Sequence, residues 1–139
     1  VRDLGGEIGR ASAMKMVYAS STKGAFSLFT AVAVMAELTG LRDEIFGELE
    51  TSQPNIMATI ERMVPRIPLD AKRWIFEMDE IASTYDAYGM TAHFHQGAAD
   101  IMKLANKTPL ASETRETAQD NRALADVLQI YVDALRGES

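Results

Sequence analysis

Residues 5–40, GGEIGRASAMKMVYASSTKGAFSLFTAVAVMAELTG, decide how the rest of the chain is read. Glycines punctuate both ends, and no proline interrupts the stretch between them. Proline removes a backbone donor and clashes with the preceding turn, so its absence leaves one continuous helix open. At ~1.5 Å per residue, roughly thirty helical residues span about 45 Å, longer than a small domain is wide. The helix is therefore expected to be the axis of the fold.

Its halves differ in chemistry. From Gly24 to Leu38 nearly every face is apolar, which predicts a helix surrounded by other helices. In the first half Ser12, Lys15, Ala19, Thr22 and Lys23 recur at steps that place them on one face, while Met14, Met16 and Val17 lie off it. Two lysines thus line one stripe. They are either solvated surface groups or a cationic site for a carboxylate or phosphate, in which one amine exchanges a proton. Spacing alone does not choose.

The segments that follow also read as helices. Thr39-Gly40 ends the long one, and a short helix is expected from Leu41 to about Glu50 with Ile45, Phe46 and Leu49 inward. Pro54 opens another that runs to Val64. Pro65 and Pro68 bracket a non-helical connection, with Asp70 as the cap of a helix from Ala71 to Tyr88. Trp74, Met78, Ile81, Tyr85 and Tyr88 form its apolar stripe, and Gly89 stops it. Glu77 and Glu80, one turn apart and close to Lys72 and Arg73, read as a solvated face of weak ion pairs.

Thr91 caps a helix to about Asn106 that turns Phe94, Ala98, Ile101 and Ala105 inward. His93 and His95, two residues apart, point about 200° away from one another on that helix. They cannot share a metal, and one of them can face a pocket. A last helix is expected from Glu113 to about Arg136, with Leu124, Leu128, Tyr131 and Leu135 buried. The eight methionines are spread over most of these segments, as gap-fillers between packed helices are. The fold class is all-α, one long central helix packed by about five shorter ones.

Composition narrows the function. A chain of 139 residues is one domain's worth. Its net charge of −6 argues against general affinity for nucleic acid. Without cysteine there are no disulfides and no thiolate chemistry. The longest apolar run, Gly24 to Leu38, is shorter than the ~18 residues a bilayer crossing needs, so no membrane partner is expected, and the cytoplasm suits a sequence with neither cysteine nor a signal peptide. Gly6-x-x-Gly9 lacks the order of a dinucleotide fingerprint, and no βαβ unit follows it. The chain opens on Val1, which suggests processing or a fragment.

Gly6-x-x-Gly9-x-Ala11-x-x-x-Lys15 is similar to the Gly-x-x-Gly-x-Gly-x-x-x-Lys-x-x-x-Asn motif of β-hydroxyacid dehydrogenases, and Lys15-Met16-Val17 resembles the same point in 6-phosphogluconate dehydrogenases. Arg73-Trp74, Glu77-Met78 and Glu80-Ile81 resemble an RW-x-x-EM-x-EI signature of phosphogluconate-dehydrogenase-like C-terminal domains. The resemblance spans Val1 to about Gly137. It implies that residues 1–8 end a nucleotide-binding domain, with Val1 to Leu4 as its last strand, and that residues 9–139 form a helical substrate-binding and dimerisation domain.

The resemblance further implies that Lys15 is the acid/base acting on a small anionic hydroxy acid. The cofactor is NAD or NADP, held chiefly by a domain outside this chain, so the chain alone does not perform the reaction. By geometry, Ser12, Tyr18 and Lys23 lie on or beside the lysine face and would hold the substrate's anionic group. Ala19 stands where the family has asparagine, Ala11 replaces the third glycine, and Tyr18 replaces a histidine. These departures argue against phosphogluconate itself. The competing expectation is a non-catalytic helical module that forms a homodimer or binds a small ligand, with Ala31 and Ala33 allowing close helix approach.

Overall fold

A computed structural model describes residues 5–137, and these are all-α. The short strand expected at Val1 to Leu4 lies outside the described residues. Arg10–Ala19 (α1), a π-helical turn at Ser20–Gly24 and Ala25–Leu38 (α2) follow one another without a break, making a rod of 29 residues. Five shorter helices complete the described fold: Arg42–Ser52 (α3), Pro54–Met63 (α4), Ile67–Ala87 (α5), His93–Lys107 (α6) and Leu124–Leu135 (α7). A 3₁₀ turn at Pro109–Ser112 follows α6.

The rod ends as its sequence dictates. Gly40 takes φ 72°, the amide of Leu41 donates to the carbonyl of Ala36 and that of Gly40 to Glu37, which together form a Schellman stop. Gly89 closes α5 the same way, with the Met90 amide on the Tyr85 carbonyl. The π turn has a local cause as well. Ser21 Oγ donates to the Tyr18 carbonyl at 2.6 Å and Thr22 Oγ1 to the Ala19 carbonyl at 3.3 Å, so side chains compete for the carbonyls an α-helical ladder would use.

The core lies between α2, α4, α5, α6 and α7. Ile60, Ile67, Met78, Ile81, Met102 and Leu128 are wholly buried there, with Trp74 beside them. Tyr131 is also fully buried, and burial raises its hydroxyl pKa far above the ordinary tyrosine value. Its hydroxyl donates at 3.0 Å to the carbonyl of Val64, one of the groups the C-terminus of α4 leaves without an intrahelical partner. Tyr131→Phe strands that carbonyl, and urea unfolding should show a loss of about 1–3 kcal/mol.

Several expectations need correction. The helix after Pro65 starts at Ile67, not Ala71, because Pro68 fits a first turn, where no amide is needed. Asp70 lies inside that turn and binds Arg73 and Arg115 instead of capping. Helix α7 starts at Leu124, not Glu113. Between them Glu113 holds Arg122 through two hydrogen bonds and the hydroxyl of Thr117 accepts the Thr114 amide, which folds this segment into turns.

In α6 the expected inward residues Ala98 and Ala105 are buried, but His95, Ala99 and Met102 complete that face, while Ile101 is half-buried and Phe94 is 77% exposed. Finally, α2 is not surrounded: α3, α4, α6 and α7 pack on it, yet Leu28, Val32 and Met35 form an exposed apolar stripe. Leu135 and Tyr88, each expected at the end of a buried stripe, are exposed.

Candidate functional site

The π turn is the pivot of the site, since it widens the rod where the turn itself packs against α5 and α6, with α1 lying against α5. On one side of it Lys15, Tyr18, Ala19, Thr22 and Lys23 line a hollow of about 200 Å³, closed by Glu77, Glu80 and Ile81 of α5. Three of the four candidate residues, Lys15, Tyr18 and Lys23, are therefore gathered. Ser12 is exposed on α1 and does not line the hollow.

Their environments differ. Lys15 and Tyr18 are exposed, whereas Lys23 is half-buried and its ammonium is bound by the Glu77 carboxylate. The same ammonium lies 5.3 Å from the centroid of the buried Trp74 ring, within cation–π range. Arg73 flanks Glu77 at 3.8 Å. Glu77, expected on a solvated face, is thus the partner that fixes Lys23. Lys23 and Glu77 are 54 residues apart in sequence, and no local pattern marks such a pair.

On the other side of the turn lies a second group. Ser20 Oγ is 2.7 Å from Tyr85 Oη and 2.7 Å from His95 Nε2, and the Tyr85 and His95 rings meet at 4.6 Å. His95 is 5% exposed, and its Nδ1 is buried without a partner. Gly24 permits the close packing: a Cβ there would stand 3.3 Å from His95 Nε2. The burial of His95 was legible, because it shares a helix face with Ala98, Ala99 and Met102. The trio itself was not, since its members come from three helical segments.

Burial holds the His95 pKa below the ordinary value near 6.5. The unfolded chain takes up a proton at that site more readily than the folded one, so stability is fullest above pH ~6.5 and falls as acid is added. The loss ends once the folded histidine also protonates. Urea unfolding across this range should show that slope, and His95→Gln should flatten it.

No cluster of three or more histidine, cysteine or acidic residues able to hold a metal occurs among the described residues. No helix there is long and apolar enough to cross a membrane. The described residues also contain no strand and no glycine-rich βα turn, so they do not form a dinucleotide seat of that kind. Residues 36–105 match a family described as "Domain of unknown function (DUF1932)". That span runs from the end of α2 through most of α6, taking in Trp74, Glu77, Tyr85 and His95 but not Lys15 or Lys23. Neither a curated protein nor a solved structure matches the chain.

Proposed function

We propose, from the premise that the chain belongs to the DUF1932 family, that it forms the helical substrate-binding and dimerisation part of an NAD(P)-dependent dehydrogenase-like protein. Its substrate is a small hydroxy acid and Lys15 is the acid/base. The observation that carries this reading is the hollow in which Lys15, Tyr18 and Lys23 converge, on the rod whose entry Gly6-x-x-Gly9 and whose Lys15 resemble the dehydrogenase motif.

Each residue has a separate task. Lys23 spends one of its three donors on Glu77 and keeps two for a substrate carboxylate, held in place by the Trp74 ring beneath it. Tyr18 offers a hydroxyl on the same side. Lys15 Nζ takes the proton of the substrate hydroxyl and returns it in the reverse direction. A nicotinamide, when bound, supplies the hydride acceptor, and its principal seat lies outside these residues.

The exposed stripe of Leu28, Val32 and Met35 supports a homodimer. One observation favours a non-catalytic module instead: Lys23 is already committed to Glu77, a pairing that serves structure without any substrate.

Amine labelling tests the reading. With a bound hydroxy acid, modification of Lys15 by an acetylating reagent, read by peptide mass, should slow several-fold while Lys103 and Lys107 keep their rates. If no small hydroxy acid protects Lys15 in the presence of either dinucleotide, the reading fails.

A further inference from the structure

The cleft beside the π turn, on the side away from Lys15, is a different kind of site. It has a volume of about 480 Å³, within the range of small-molecule pockets, and Leu28, Ala31, Met90, Phe94 and Ile101 contribute apolar wall. No Asp, Glu, Lys or Arg lines it. Ser20, Tyr85 and His95 form its polar end.

Counting protons in that trio shows what it lacks. Were the His95 proton on Nδ1, a buried N–H would have no acceptor, so the proton belongs on Nε2, where it is donated to Ser20 Oγ. The Ser20 and Tyr85 hydroxyls then share one contact, which uses one of their two protons. The other has no acceptor within the trio. Ser21, Thr22 and Ser27 spend their hydroxyl protons on carbonyls of their own helix, whereas the hydrogen bonds of Ser20 run across to α5 and α6. The pair is not a hydrolase dyad either. A serine activated by histidine needs Nδ1 held by an orienting group, and here Nδ1 has none.

We propose that this cleft binds an uncharged small molecule with an apolar body and one hydrogen-bond-accepting oxygen, such as a ketone, aldehyde or ester. The oxygen takes the surplus hydroxyl proton of the Ser20–Tyr85 pair, and the body lies against Phe94, Met90 and Leu28. A carboxylate would be desolvated there without a cation to meet it, so charged acids are excluded. The site is independent of Lys15 and of the reaction assigned to it.

Three probes of similar shape test this on the full chain by NMR: acetophenone, ethylbenzene and benzoate. Acetophenone should shift the signals of the His95 ring, Phe94 and Ile101, with ethylbenzene bound about tenfold more weakly, the size of one hydrogen bond. Benzoate should also bind more weakly than the ketone. In the Ser20→Ala/Tyr85→Phe/His95→Leu triple variant the preference for acetophenone over ethylbenzene should shrink to less than about threefold, because both hydroxyl donors and the His95 Nε2–H that Ser20→Ala alone would free are gone. Should that variant not fold, the ligand series on the unaltered chain decides alone. Equal binding of ketone and hydrocarbon, tighter binding of benzoate, or shifts at the Lys15 hollow in place of the cleft would overturn the proposal.

Discussion

Lys15→Met should lower kcat for the proposed hydroxy-acid oxidation by about 10²–10⁴-fold in the natural full-length protein, with little change in KM or in melting temperature. The size is that of a lost general acid/base. Methionine is close to lysine in length but moves no proton. The split between kcat and stability follows from position: Lys15 is exposed on α1 and takes no part in the core. Lys23→Met should behave in the opposite way. It removes the partner of a half-buried carboxylate and the cation over Trp74, so KM rises and stability falls. Stopped-flow turnover and thermal unfolding of the two variants, side by side, separate the roles.

Trp74→Ala has the largest expected effect on folding, a loss of about 3–5 kcal/mol by urea unfolding. Trp74 is 7% exposed in the core beside Met78 and supports the Lys23 ammonium from below. Truncation opens a cavity between α5 and its neighbours and loosens the hollow above it. Two residues along the same helix, Phe76 is 68% exposed, and Phe76→Ala should stay within about 0.5 kcal/mol of the parent. A similar cost at both positions would contradict the packing described for α5.

The rod from Arg10 to Leu38 was legible because its signals are local: no proline, glycine at either end, and an apolar second half. The π turn within it was not, although Ser20, Ser21 and Thr22 are in plain view. Ser20 reaches Tyr85 and His95, 65 and 75 residues away, and no periodicity encodes contacts at that range. The segment after Ser112 misled for a related reason. Glu113 and Glu116 suit a helical first turn, but Glu113 is held by Arg122 and the Thr114–Thr117 hydrogen bonds curl the backbone.

In the candidate site, the convergence of Lys15, Tyr18 and Lys23 could be read from helix spacing, and the structure adds Glu77 and Trp74 to them. One error was avoidable. Choosing Phe94 over His95 as the inward residue of α6 followed hydrophobicity at a single position, whereas the alanines and Met102 on the same face as His95 mark the buried side.

The central claim is that this helical domain serves a dehydrogenase through Lys15. It is tested most directly by presenting the natural full-length protein with NAD or NADP and a series of small hydroxy acids, following formation of the reduced nicotinamide. At least one small hydroxy acid should be oxidised, and the activity should be lost in Lys15→Met. Absence of reduced nicotinamide with every acid and both dinucleotides, from protein shown to be folded, would contradict it.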